Sequence, residues 1–176
     1  MNGESAMDKI LQTQLVNIYN HIDAQSEEIE MAARLLAQAV HSEGEIFIKT
    51  FHDIAGMENF LIEGTLSLAK AKQLKDVSQV ATPDRVLVAA GVFDEEVKAF
   101  TESLETAGVE FVLVSNFNKH ESERMNQIHH YIDLSSPRPL IPTPNFDKIV
   151  NPYMSAFLYI YDHLYVLIDE MTNEDY

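Results

Sequence analysis

Three short runs of β-branched and other apolar residues, each followed by an amphipathic helical pattern, most constrain the fold of this chain. The runs are Glu45–Thr50, Arg85–Ala90 and Glu110–Ser115. Each has apolar residues at consecutive positions, which is typical of a strand covered on both faces. Strands that alternate with helices form a parallel sheet. The pattern therefore predicts an α/β fold, a three-layer sandwich with a mostly parallel, doubly wound, Rossmann-like sheet.

Helical spacing of apolar residues fills the segments around these runs. Two helices are predicted before the first strand, and the second of them is expected to begin at Ser26 and to end at Gly44. Further helices are predicted over residues 54–74, 92–107, 121–129 and 153–171. Gly108 is expected to stop the helix over 92–107. Residues 77–80 are considered for a short edge strand and 131–134 for a fourth parallel strand.

The chain has 176 residues, enough for one domain that buries about 70% of the surface exposed by its unfolded form. We expect a single domain over residues 1–176. Its predicted parts are N-terminal helices over 1–43, a βαβ core over 45–134, a proline-rich loop over 135–150 and a closing helix over 151–171. Since proline lacks a backbone donor, the proline-rich loop is expected to be an extended excursion outside the sheet.

The charge balance is strongly acidic, with 12 Lys and Arg against 28 Asp and Glu and a formal net charge of -16. Nucleic-acid binding depends largely on cationic side chains, so a nucleic-acid partner is excluded. No apolar stretch reaches the roughly 20 residues needed to span a bilayer, and no membrane partner is expected. The absence of cysteine and of a basic, apolar leader predicts a cytoplasmic protein.

Ligands of doubly wound sheets bind beyond the carboxyl ends of the strands. The loops beginning at Phe51, Gly91 and Asn116 are therefore the expected site. The first two loops bring His52, Asp53, Asp94 and Glu95 into one region.

These acidic residues have two interpretations. Carboxylates beside an imidazole could hold a hard divalent cation or a cationic ligand. Alternatively, Asp53 and Asp94 cap the helices that follow, while Glu95 and Glu96 complement the positive end of a helix dipole. Capping is favoured, since the sequence has no H-x-x-x-H or H-E-x-x-H spacing. No metal and no cofactor are predicted.

Aromatic residues recur every four positions along the closing helix, at Tyr153, Phe157, Tyr161 and Tyr165. This stripe is expected to pack against the sheet or against a partner subunit, and a symmetric homodimer through the terminal helices is predicted. Arg138, the cation of residues 136–144 in the proline-rich loop, is either an ordinary surface arginine or a group that the loop delivers to an anion over the cleft.

The order of elements resembles that of the sugar isomerase (SIS) domain, in particular the phosphoheptose isomerases. The likeness spans roughly Glu28 to Glu170 and includes the fragments Gly44–Ile48 and Asp84–Val88. The resemblance implies a sheet flanked by helices, a homo-oligomer and a phosphorylated sugar bound at the strand ends.

The phosphate-binding loops of that family are altered in this chain. The first, of G-x-G-x-S type, matches residues 50–54, where Thr50 and His52 replace the glycines. The second, of S-x-S-G-x-S type, matches residues 90–95 and has lost its hydroxyl groups, whereas Ser115 stands close to a threonine of the family. The ligand-binding set implied by the resemblance is Thr50, His52, Asp53, Gly91, Asp94, Glu95 and Ser115.

Phosphoheptose isomerases use a glutamate after the first strand and a histidine in the closing helix. The resemblance implies Glu63 for the first role. His163, about a turn beyond the matching position, is the weaker candidate for the second. We therefore expect a protein that binds phosphorylated sugars, with aldose–ketose isomerisation if this chemistry is retained. The alternative is a non-catalytic regulatory or interaction protein of this fold that has lost phosphate binding.

Overall fold

The computed structural model describes residues 6–173. The helices and strands follow in the order α1 (Ala6–Asp23), α2 (Ser26–His41), β1 (Ile46–Thr50), α3 (Glu58–Glu63), β2 (Ala71–Gln73), β3 (Arg85–Ala89), α4 (Glu95–Thr106), β4 (Phe111–Ser115), α5 (Ser122–Met125), β5 (Tyr131–Asp133), β6 (Ile141–Pro142), β7 (Lys148–Ile149) and α6 (Tyr153–Thr172). Short 3₁₀ helices cover His52–Met57, Val77–Gln79 and Lys119–Glu121.

Five strands form one sheet in the order β2-β1-β3-β4-β5, and every pair in it is parallel. This confirms the predicted α/β sandwich, including the parallel strand over 131–134. The order reverses between β1 and β3, which makes this point the topological switch of the sheet. β6 and β7 form a separate antiparallel ribbon within the proline-rich loop, outside the main sheet as predicted.

Side chains alternate across the sheet into two cores. On β1, Ile46 and Ile48 enter the core that contains α1, α2 and α6, whereas Phe47 enters the core beneath α4. Leu87 and Val88 divide in the same way on β3. This alternation is the geometric consequence of a pleated strand, and it requires a helical layer on each face.

The crossover helices change face where the strand order reverses. Leu61 of α3 packs in the same core as α2 and α6, whereas Leu104 of α4 and Met125 of α5 pack in the opposite core. Parallel crossovers share one handedness, so a chain that reverses direction along the sheet must place its next helices on the other face. The loops at the carboxyl ends consequently separate at the switch point and leave room for a cleft.

The closing helix α6 packs on α2 and against the sheet. Tyr153, Phe157 and Tyr161 are buried in the core, while Tyr165 lies at its margin. Packing against the sheet, one of the two predicted roles of this stripe, is therefore confirmed for the first three. Tyr161 donates a hydrogen bond to the Leu66 carbonyl at 2.8 Å. Among residues 6–173, no helix combines the length and apolar character needed to cross a membrane.

The helix predicted over 54–74 is wrong. The segment instead contains most of the 3₁₀ helix His52–Met57, the six-residue helix α3 and the edge strand β2. β2 reads Ala-Lys-Gln and is largely exposed, so it carries no apolar pattern, and its strand form comes from backbone pairing with β1. The helix predicted over 121–129 is likewise shorter, because α5 ends at Met125.

The edge strand considered at 77–80 is also wrong. Val77–Gln79 forms a 3₁₀ turn with a capping box, in which the Asp76 side chain accepts from Ser78 and the Gln79 side chain accepts from the Asp76 backbone. This polar spacing was visible in the sequence, and its local hydrogen bonds compete with strand pairing.

Gly44 does not end α2. The helix ends at His41, and the left-handed residue that follows is Glu43, with φ 63°. A Cβ on Gly44 would lie 2.2 Å from the Pro83 carbonyl oxygen, so glycine is required by close approach of two backbones. The adjoining Glu45 N–H donates to the buried Asp84 carboxylate at 2.8 Å, which joins the starts of β1 and β3. Gly108, with φ 69°, follows α4 as predicted.

Gly44→Ala is expected to lower the free energy of unfolding by roughly 1–3 kcal/mol, because the new methyl group must displace backbone rather than a side chain. Gly56→Ala is the matched control, since a Cβ there meets nothing within 4 Å. The control is expected to be neutral or slightly stabilising. Urea denaturation of both variants measures the difference, and equal midpoints would contradict the close-packing assignment.

Candidate functional site

A cleft of about 450 Å³ opens at the carboxyl ends of the strands. All its walls come from segments that follow strands or begin α6. These residues are His52 after β1, Gly91 and Val92 after β3, Asn116, Phe117, Asn118, Lys119 and His120 after β4, Pro137 and Arg138 after β5, and Asn151 and Tyr153 at the start of α6. The cleft therefore lies where ligands of doubly wound sheets bind.

The lining of the cleft is cationic although the protein is acidic. Lys119 and Arg138 bring permanent positive charge, and His52 and His120 add two imidazoles. None of the described residues that line the cleft is Asp or Glu. Within residues 6–173, neither Lys119 nor Arg138 forms an ion pair, although many other cations of the chain do. Both charges are exposed and available to an anion.

The Asn116 side chain joins three of the loops that form the cleft. Its amide nitrogen donates to the Gly91 carbonyl at 2.7 Å and to the Ser136 carbonyl at 3.2 Å, and its oxygen accepts from the Ser136 N–H at 2.8 Å. Asn116 and Ser136 are both buried. This carboxamide therefore fixes the loops after β3 and β5 to the end of β4, and it satisfies backbone groups that have lost water.

His52 and Asp94 connect the loops after β1 and β3. The His52 Nε2 atom lies 2.8 Å from the Asp94 carboxylate, and the other oxygen of Asp94 accepts from the Val97 N–H at 3.1 Å, which caps α4. The predicted cap at Asp94 is thus confirmed. Burial raises the pKa of Asp94, but the hydrogen bonds from Val97 and His52 outweigh it and hold the pKa below its usual range.

The backbone at His52 is left-handed, with φ 56°. This conformation costs a residue with a side chain about 1–2 kcal/mol, and it is the one that glycine adopts most easily. The imidazole is therefore held at the cleft by an unusual backbone conformation as well as by Asp94.

Tyr153 forms a second pair of this kind, between α6 and the loop after β1. Its hydroxyl donates a hydrogen bond to the Asp53 carboxylate. Burial, together with the hydrogen bond to Asp53 and the charge of Asp53, raises the pKa of Tyr153 to about 12. Its ring lies against Gly91, where a Cβ would approach the ring carbons to 2.8 Å. Asp53 was expected to cap a helix, and it instead anchors this tyrosine.

Not all of the sequence-predicted ligand residues reach the cleft. His52 and Gly91 line it. Asp53 and Asp94 do not line it, but each binds a lining residue, Tyr153 and His52 respectively. The other three do not line it, for different reasons. Thr50 is buried and donates to Glu58 at 2.6 Å, Ser115 is fully buried, and Glu95 extends from α4 into solvent.

Glu63 and His163 do not line the cleft either. Glu63 is exposed at the end of α3. His163 stands over the Tyr159 ring, with 4.7 Å between ring centroids, and its Nε2 is 4.0 Å from Asp23. It lines a different, largely apolar groove between α2 and α6. The single chain therefore does not bring this pair to the carboxyl ends of the strands.

Sequence reasoning gave too little weight to the β4 and β5 side of the cleft. Asn116 to His120 follow directly after β4, and Arg138 lies five residues after β5. Their positions after predicted strands were therefore a signal in the sequence for both groups. The contribution of Tyr153 could not be found in this way, because it depends on where the amino end of α6 packs. Among the described residues, no cluster of three or more His, Asp or Glu side chains could hold a metal ion.

Asn116→Ala is expected to destabilise the protein by roughly 2–4 kcal/mol, because each buried group left without a partner costs about 1–3 kcal/mol. The matched control is Asn17→Ala on the exposed surface of α1, where little change is expected. Urea unfolding gives both values. A loss at position 116 no larger than that of the control would refute the role of this carboxamide.

Comparison with known proteins places this architecture in a family. The model of a family described as "Domain of unknown function (DUF2529)" matches residues 7–172. The chain is also 29% identical over 171 residues to "Uncharacterized protein YwjG" of Bacillus subtilis (strain 168). The aligned region covers 96% of this chain and 99% of that protein. Since the family model extends over nearly the whole chain, the protein belongs to the DUF2529 family.

Proposed function

We propose that this protein binds a small phosphorylated ligand, a sugar phosphate, in the cleft at the carboxyl ends of the strands. The observation that carries the proposal is the charge of the lining. Lys119 and Arg138 are unpaired within the described chain, His52 and His120 line the same cleft, and no Asp or Glu among residues 6–173 lines it. In a chain of net charge -16, such a cationic site selects an anion by local rather than global charge.

The position of the cleft supports a metabolite rather than a macromolecule. A volume of about 450 Å³ suits a ligand of the size of a sugar phosphate. The acidic remainder of the surface opposes nucleic acid, whose binding needs an extended cationic surface. Asn151 adds an amide group to the lining, and amides are suited to sugar hydroxyls.

The phosphate is assigned to side-chain cations instead of a glycine-rich cradle. Thr50 and Ser115 stand at or near the positions of the SIS-type phosphate loops, and both are buried. The Thr50 hydroxyl also donates a hydrogen bond to Glu58. His52, which matches a glycine position in that resemblance, has the left-handed backbone that glycine adopts most easily. The resemblance to phosphoheptose isomerases thus supports the ligand class, while the charges of Lys119 and Arg138 support a different way of holding it.

Arg138→Gln is expected to weaken the binding of fructose 6-phosphate by about 10- to 100-fold, since a hydrogen bond to a charged group contributes about 1.5–3 kcal/mol. Isothermal titration calorimetry measures the affinity. Binding is also expected to weaken between roughly 50 and 500 mM salt, because the exposed charges are screened.

Arg34→Gln provides the matched control. Arg34 lies on α2, pairs with Glu30 and does not line the cleft, so its loss removes the same charge at another site. Equal binding of fructose and fructose 6-phosphate, or no binding of ribulose, fructose or sedoheptulose phosphates, would contradict the proposal. The second of these results would favour the regulatory or interaction protein that has lost phosphate binding.

A further inference from the structure

Three observations at His52 together point to a functional side chain. It lines the cationic cleft, its Nε2 is 2.8 Å from the Asp94 carboxylate, and its backbone has a φ of 56°. Unusual backbone conformations of this kind cluster at functional sites. A carboxylate that orients a histidine is also the arrangement by which enzymes fix an imidazole for proton transfer.

The hydrogen bond determines which ring nitrogen is free. Asp94 is ionised near neutral pH and can only accept, so the Nε2 atom of a neutral His52 must carry the proton. The Nδ1 atom then has the lone pair and can act as a base. Asp94 is itself fixed by the Val97 N–H at the start of α4, which holds the ring in one orientation.

We propose that His52, positioned by Asp94, is the catalytic base of this site and moves a proton between adjacent carbons of a bound sugar phosphate. The assignment rests on the proposed binding function. It places the chemistry in the loops after β1 and β3, in the cleft that Arg138 and Lys119 also line. The cations on the β4 and β5 loops then hold the phosphate, and the reacting end of the sugar lies toward His52.

For a ketose phosphate, His52 Nδ1 takes a proton from C1. The C1–H electron pair becomes the C1–C2 double bond, and the carbonyl electron pair moves to O2, which accepts a proton from water. The proton held on His52 exchanges with solvent, and delivery of a proton from His52 to C2, with loss of the O1 proton to water, gives the aldose. One hydrogen moves from C1 to C2 and one from O1 to O2, so no oxidant or reductant is needed.

Tyr153 has a positioning role in this site. Its hydroxyl is committed to Asp53, and its ring packs on Gly91, so it ties α6 to the loops that carry the base. Glu63 and His163 are outside the cleft in the single chain. The geometry therefore favours His52 over the pair implied by the family resemblance.

The test incubates the protein in D₂O with fructose 6-phosphate, ribulose 5-phosphate or sedoheptulose 7-phosphate. NMR measures the rate at which solvent deuterium enters the carbon skeleton of the sugar. His52→Asn is expected to lower the exchange rate, measured at saturating sugar phosphate, at least about 100-fold, a loss larger than any weakening of calorimetric binding. Asparagine is chosen because it tolerates the left-handed backbone. Asp94→Asn, which keeps an N-cap residue, is expected to lower the same saturated rate because it removes the carboxylate that orients the imidazole.

His129→Asn is the matched control, because it removes an exposed imidazole from outside the cleft. Exchange that persists in His52→Asn, or that is lost in Glu63→Gln instead, would overturn the assignment. A wild-type protein that binds the sugar phosphates without exchange would also overturn it and would leave the proposed binding function intact. Failure to bind any of the three would refute both.

Discussion

The burial of one parallel sheet on both faces is the constraint on which the rest of this structure depends. Strands β1, β3 and β4 place alternate side chains in two separate cores, so each face needs its own helices. Because parallel strands cannot be joined by hairpins, every connection crosses the sheet and returns. All the loops that follow strands therefore gather at one edge, where side-chain hydrogen bonds join them.

Those hydrogen bonds form a small number of cross-links between loops. Asn116 joins the loops after β3 and β5, His52 and Asp94 join those after β1 and β3, and Tyr153 joins α6 to Asp53. Each cross-link uses a different chemical pair. Together they bind Asp53 and Asp94 to lining residues without adding a carboxylate to the lining, whereas Lys119 and Arg138 line the cleft.

This separation of charge gives an acidic protein a cleft with a cationic lining. The carboxylates of Asp53 and Asp94 are occupied by Tyr153 and His52, whereas Lys119 and Arg138 have no ion-pair partner within the described chain. Net charge describes the field at a distance, but a ligand in a cleft interacts mainly with the groups within a few ångströms. The proposed functions depend on this local arrangement and would not follow from composition.

The sequence by itself determined the α/β class, the parallel strands, the cap at Asp94 and the edge of the sheet at which to look for a site. These features follow from short-range patterns: consecutive apolar residues make a buried strand, and an acid before a helix makes a cap. Tertiary structure decided that Ala71–Gln73 becomes a strand, that Gly44 serves a backbone contact, and that Tyr153 and Arg138 meet at one cleft while Glu63 and His163 do not line it. These outcomes depend on pairing and packing between segments far apart in the chain, which local patterns do not encode.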